Sequence, residues 1–443
     1  MTIVALLTLT ILTVLLGRWT FGNWFNHLGL YGVAWGLSLT LFQVGLIHYY
    51  PLETETWIII FAAWLAFIIG SAMVPCARYS FHRKEKGVIR VSEPSAGGLS
   101  LLCKTLWVLD CILIADAAHQ VYIVAKLVGS VSNILAVGNL LYSIRVHEGL
   151  PGAIPYLSSL GLTGCLLAGF YTARTGRLEL VATLPVLTVV VSSITNMSRA
   201  LIIMGGILYV SGYFSARQGI LLRTMVSGEG KIRRGLLILF VATVLVSGIE
   251  VIRSNRGLIE SFAGTTTAVQ KLGRGAGSFV TPSVIMYITA YPGVLNQYLK
   301  QGTENPPIGT YTFAPFWRFL SKLGFETYVP QHYPFYRIPV NANTGSYLRE
   351  LHADYGVLGV VVGPLLLAFL TSLYWLRLER TQGLVDLVVM GHLYVAVAMS
   401  PFALLAQSGS WLVSLILGLL VSLAFTFKGR RLKGRCNNLP VLG

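Results

Sequence analysis

VLGVVVGPLLLAFLTSLYWL, residues 357–376, is a run of twenty residues without a charge, closed by Arg377 and Arg380. At about 1.5 Å per helical residue such a run reaches across the roughly 30 Å hydrocarbon core of a bilayer. Similar apolar runs occupy 3–17, 28–48, 56–75, 100–119, 155–171, 179–196, 200–215, 235–252, 384–404 and 410–427. The bulk composition agrees. Of 443 residues 54% are hydrophobic and 11% charged, and the mean hydropathy is +0.69, which excludes a soluble domain of this length. The sequence therefore predicts an all-α polytopic membrane protein with about eleven transmembrane helices.

The charges between the runs orient the chain. Arg18, the group Arg78, Arg83, Lys84, Lys86 and Arg90, then Arg174 and Arg177, fall on one side. Arg217, Arg223, Lys231, Arg233 and Arg234, then Arg377 and Arg380, and the basic tail from Lys428 to Arg435 fall on the same side. Retention of Lys and Arg on the inner face makes that side cytoplasmic. The odd number of spans places the N-terminus outside and the C-terminus inside. The net charge of +16 is read the same way, as basic inner loops rather than a nucleic-acid surface. The first run begins at Thr2 with no basic segment before it and no small-residue cleavage pattern after it, so it reads as a retained span.

One long segment, 253–356, carries no run of spanning length. It divides the chain into an N-terminal bundle of about eight spans (1–252), an extracytoplasmic loop expected to hold short helices (253–356), and about three spans with a basic tail (357–443). Residues 120–150 are apolar yet end in Arg145, His147 and Glu148, and fit a re-entrant helix, an interfacial helix or two short spans. The connection Tyr49–Glu55 is acidic and aromatic and suits the outer interface.

Several arginines fall on the outer side against the charge bias. They are Arg199, Arg253, Arg256, Arg274, Arg337 and Arg349. Arginine beside hydrocarbon is costly, and its planar fork suits phosphate, so a gathered set points to a lipid phosphate or pyrophosphate. The alternative for each is snorkelling to headgroups or pairing with Glu250, Glu260 or Asp354. Arg199, in Thr195-Asn196-Met197-Ser198-Arg199, sits between two runs with almost no loop. Arg253 and Arg256 share a helix face if the helix continues that far. His332 and His352 read either as general bases or as hydrogen-bonded structural residues. Asp354 reads as a group that activates a sugar hydroxyl, as a partner of Arg349, or as a helix cap. The segment is also crowded with Tyr, Phe and Trp, which suits the faces of a sugar or an interfacial belt. The five cysteines have no metal-ligand spacing, and no HExxH, P-loop or paired-acid motif occurs, so no metal or nucleotide is indicated.

Certain motifs in this segment are familiar. They are Tyr287-Ile288 with Leu295-Asn296-Gln297-Tyr298, Gly309-Thr310-Tyr311-Thr312-Phe313-Ala314-Pro315, Asn341-Ala342-Asn343-Thr344, and Asp354-Tyr355-Gly356-Val357-Leu358-Gly359. With them, Ser283–Gly363 resembles the oligosaccharide repeat-unit polymerases of the Wzy type, which build O-antigen, capsule or exopolysaccharide. Ser198-Arg199 resembles that family's first arginine loop. The resemblance implies a GT-C-class glycosyltransferase at the outer face of the bacterial cytoplasmic (inner) membrane. It would act on undecaprenyl-pyrophosphate-linked oligosaccharides without metal or cofactor, alongside a membrane protein that regulates chain length. Arg199 with Arg253 or Arg256 would hold the pyrophosphate, and Asp354 would complete the catalytic set. Arg145, Arg274, Arg337, Arg349, Asn341, Asn343, Tyr347, His332 and His352 would bind substrate. The related O-antigen ligases carry a His at the position of Gly345, and its absence favours polymerase over ligase. A lipid-oligosaccharide flippase, expected to carry basic residues deep in central spans and symmetric halves, stays open. So does a non-catalytic assembly partner, in which the arginines would tolerate replacement.

Overall fold

The computed structural model describes residues 3–81, 96–147, 150–154, 156–217, 243, 247–249, 251–252, 264–273, 282–302, 306–327, 334–343, 345–381 and 383–437. Nearly all regular structure among them is helical. The helices are α1 (Ile3–Phe21), α2 (His27–Val44), α3 (Thr54–Phe81), α4 (Ala96–Val128), α5 (Asn133–Ala136), α6 (Gly138–His147), α7 (Ser159–Thr175), α8 (Leu180–Thr195) and α9 (Arg199–Arg217). They continue as α10 (Thr267–Gly273), α11 (Pro282–Gln301), α12 (Ala314–Lys322), α13 (Tyr347–Thr381), α14 (Leu384–Met399) and α15 (Gly409–Asn437). A small antiparallel ladder pairs β1 (Tyr336–Arg337) with β2 (Asn341–Ala342), Tyr336 opposite Ala342.

Every expected run except 235–252, most of which lies outside the described residues, coincides with a helix. Among the described residues five helices are long and apolar enough to cross a membrane: Ile3–Phe21, Thr54–Val74, Gly98–Val128, Arg199–Ala216 and Tyr347–Thr381. Leu180–Thr195, Leu384–Met399 and Gly409–Phe425 are apolar but shorter. The chain is thus of the all-helical, multi-pass membrane class. The ambiguous stretch 120–150 becomes the last turns of α4 and two short helices. Gly129, at φ +87°, ends α4 because only glycine adopts that backbone freely. In the long segment the helix α11 is twenty residues, longer than the short helices expected there. Thr289, Asn296, Gln297 and Gln301 dilute its apolar character, so hydropathy alone does not reveal it.

The chain forms two compact units, each from discontinuous segments. The first comprises Met1–Lys86, Leu258–Leu373 and Leu393–Gly409. In it α1 packs on α2. Asn26 caps α2 by accepting from the Gly29 amide at 2.7 Å, and the left-handed Gly45 closes it at φ +71°. Trp64 donates to Thr13 at 3.1 Å, and Tyr31 stacks on Phe67 with centroids 3.9 Å apart. The helix α11 lies against α2 and α3. Its Asn296 accepts from the Glu53 amide at 2.8 Å and from Thr56 at 2.7 Å, while Tyr49 bonds Thr289 at 2.8 Å. The connection 49–55 and α11 of the long segment therefore lie together.

The second unit comprises Gly87–Gly257, Tyr374–His392 and Ser410–Gly443. The helices α7 and α9 make its closest pair, meeting through Gly169 and Gly212. A methyl group on either glycine would overlap a backbone carbonyl of the other helix, Tyr209 or Leu166. Such small-residue contacts let helices approach closely where no water drives association. The inner faces of α4, α8 and α9 complete this packing.

Candidate functional site

In the first unit four separated stretches of the long segment and the start of α13 converge. Asp354 is buried, and its carboxylate accepts three hydrogen bonds. They come from the Tyr311 amide at 2.9 Å, the Thr312 amide at 2.7 Å and the Thr312 hydroxyl at 2.7 Å. These bonds hold the 309–313 turn on α13. Trp317 closes the turn from the other side by donating to the Gly309 carbonyl at 3.1 Å. Two residues earlier on α13, His352 shares a hydrogen bond with the Tyr298 hydroxyl at 3.1 Å, and the Tyr298 ring also meets Tyr336 of β1 edge-on. The helix itself breaks at Gly356, whose φ of +62° and ψ of −151° no other residue adopts freely. The break falls where the sequence divides loop from span, and leaves Tyr347–Tyr355 as a separate arm.

Arg349 and Glu350 lie on this arm, 2% and 1% exposed, and pair at 3.3 Å. Glu350 also accepts from the Leu404 amide at 2.8 Å. The guanidinium lies 6.0 Å from the Tyr311 ring centroid and presses on Gly345, where an added Cβ would come within 2.7 Å of it. Gly345 is thus a glycine because Arg349 occupies the place of its side chain. Tyr347 is buried, sharing a hydrogen bond with Tyr31 at 3.0 Å, and its amide donates to Ser400 at 3.0 Å. Arg337 and Asn341 face each other across the ladder, both exposed, and Asn343 follows half-buried.

In the second unit Arg199 opens α9 after a corner of three residues, with Met197 at φ +48°. A ladder of side-chain amides braces that corner. Asn196 donates to Gln120 at 2.7 Å, and Gln120 donates to Asp116 at 2.7 Å. Ser198 donates its amide to Ser193 at 2.8 Å. Arg145, half-buried at the end of α6, lies 5.3 Å from the Tyr142 ring centroid. Arg253, Arg256, Arg274 and His332 lie outside the described residues.

The first unit therefore gathers Arg337, Asn341, Asn343, Tyr347, Arg349, His352 and Asp354, while Arg145 and Arg199 belong to the second. Arg349 arrives with its charge already balanced by Glu350. Asp354 arrives with both oxygens engaged, which makes it the anchor of the 309–313 turn. His352 has the hydrogen-bonded setting that is the structural alternative to a general base. Among the described residues no three His, Cys, Asp or Glu side chains gather as metal ligands.

Two acids that the sequence reading passed over are Asp110 and Asp116, both buried within α4. Neither oxygen of Asp110 accepts a hydrogen bond among the described residues. The signal was available: a carboxylate within an apolar run is expensive and marks a functional position by default. Comparison of the chain with protein families, with curated proteins and with solved structures finds no match.

Proposed function

We propose that the chain is a GT-C-class membrane glycosyltransferase that polymerises oligosaccharide repeat units linked to undecaprenyl pyrophosphate. The observation that carries this reading is the convergence in one unit of the segments that resemble the Wzy-type polymerases. Tyr298 touches His352 and Tyr336, Tyr311 and Thr312 bond Asp354, and Asn341 pairs with Arg337 beside Tyr336, so parts of these dispersed motifs meet through hydrogen bonds and ring contacts.

In this mechanism the growing chain is the donor. A hydroxyl at the non-reducing end of the incoming repeat unit attacks the anomeric carbon and loses its proton. The bond from that carbon to the carrier's pyrophosphate breaks, and its electron pair leaves with the pyrophosphate. Arg199, with Arg253 or Arg256, stabilises the charge developing on the leaving group, where preorganised cations act most strongly. Arg337 and Asn341, exposed on the ladder, offer donors to sugar hydroxyls. Arg349, neutralised and buried, keeps the arm of α13 in place.

Polymerisation of a lipid-pyrophosphate repeat unit by purified protein, in the presence of chelator, tests the reading. A product ladder from wild type that disappears in folded Arg199→Ala and Arg256→Ala variants is expected. A ladder that both variants retain removes the pyrophosphate clamp, and no ladder from the correct repeat unit removes the activity. A transporter reading draws on Asp110, because buried intramembrane acids carry protons in pumps. It requires translocation of the lipid-linked oligosaccharide across vesicles that depends on a proton gradient and is lost in Asp110→Asn.

A further inference from the structure

The helix α12 is nine residues long, too short to cross a bilayer, yet it turns an apolar face outwards. At 100° per residue Phe316, Phe319 and Leu323 fall on one stripe, with Arg318 and Ser321 opposite. Each residue of that stripe is more than half exposed, Phe319 at 58%. The other side of the helix is attached to its own unit: Ala314 is buried and Trp317 bonds the Gly309 carbonyl. The apolar stripe is therefore held outwards by the fold.

Exposed apolar residues elsewhere in the chain lie mostly on helices of spanning character, where lipid covers them. The stripe on α12 is tied to one such surface. Asp354 binds the turn that precedes α12, and immediately beyond Gly356 the span of α13 opens with Val357 and Leu358, 64% and 69% exposed. Phe313, also exposed, sits in the turn between them, against Gly309 and beside the Tyr355 hydroxyl. Exposed apolar residues thus stand at the start of the α13 span, in the turn that Asp354 ties to it, and on α12. Lys322 flanks the stripe, where its stem can lie along apolar chains and its ammonium can reach lipid phosphate.

We propose that α12 is an interfacial helix, lying in the membrane plane with Phe316, Phe319 and Leu323 among the upper acyl chains of bilayer lipid. Its occupant is the bilayer, because the surface it extends is the lipid-facing surface of α13. The consequence is positional. The 309–313 turn and Asp354 are fixed at the level of the headgroups, where the phosphates of any lipid-linked substrate also lie. The proposal depends only on membrane insertion, so it stands or falls apart from the glycosyltransferase reading.

The test uses the full chain in vesicles of phosphatidylethanolamine and phosphatidylglycerol, which hold no lipid-linked oligosaccharide. A photoreactive p-benzoylphenylalanine replaces Phe319 in one preparation and Ser321 in another, and adducts are read by mass spectrometry after irradiation. Severalfold more phospholipid adduct at 319 than at 321 is expected. Adducts at 319 to a second copy of the chain, or lipid adducts no more abundant than at 321, overturn the proposal.

Discussion

Asp354→Ala removes the acceptor for two backbone amides and one hydroxyl in the 309–313 turn. Tyr311 is buried and Thr312 half-buried, so water replaces the carboxylate poorly. A buried donor left unpaired costs about 1–3 kcal/mol. Two such amides together cost about 3 kcal/mol or more, and at 1.4 kcal/mol per decade that is about a 100-fold change in an equilibrium. The cost falls on the local opening of the turn, which amide exchange reports directly. Asp354→Asn keeps one acceptor oxygen but sets an amide group against a donor, so about a tenfold change is expected there.

Hydrogen–deuterium exchange of the full chain in detergent, read on peptides covering 309–313, measures both variants. Exchange accelerated about 100-fold in Asp354→Ala and about tenfold in Asp354→Asn is the expected order. Under the proposed function, polymerisation falls in that same order, because the turn is what the variants disturb. Unchanged exchange in Asp354→Ala refutes the anchoring role. An Asp354→Asn protein with protected amides but no polymerisation also refutes it, since the carboxylate would then be acting on substrate.

Other substitutions test the supports of each unit. Glu350→Ala leaves the Arg349 guanidinium buried without its counter-charge and is expected to cost about 3–5 kcal/mol, lowering the thermal midpoint sharply; Glu350→Gln, which still accepts from Leu404, costs less. Gly169→Ala forces the α7–α9 contact apart at the Tyr209 carbonyl, an overpacking cost of about 1–3 kcal/mol readable by thermal unfolding in detergent. Gln120→Leu removes the middle of the ladder, taking the donor from Asp116 while Asn196 keeps its bond to the Ser192 carbonyl, and costs about 1–3 kcal/mol. Arg199 rides on that corner, so the same substitution is expected to depress polymerisation at temperatures where the protein stays folded.

The apolar helices were legible because bilayer hydropathy is a contiguous, local property: 357–376 announces itself without reference to any other residue. The boundary between long segment and span at 356–357 was legible for the same reason, as the point where polar composition gives way, but the break in the helix at Gly356 was not. What the sequence conceals is pairing. Arg349 reads as a phosphate ligand by residue type, and its neighbour Glu350 gives no warning, since adjacent helical residues do not normally face one another. Only the packing that buries both, with Leu404 capping the acid, turns an arginine of the outer side into a balanced pair. Asp354 shows the converse. Its alternatives of base, ion partner and cap were all open in one dimension, and the bonds it accepts from the Tyr311–Thr312 amides, more than forty residues earlier, belong to none of the three. The helix α11 was hidden because its polar residues have partners outside itself: Asn296 satisfies Glu53 and Thr56, so a helix that reads as too polar for an interior is apolar once those bonds are made. Hydropathy sums each residue as if alone, and it misplaces those whose polarity another segment answers.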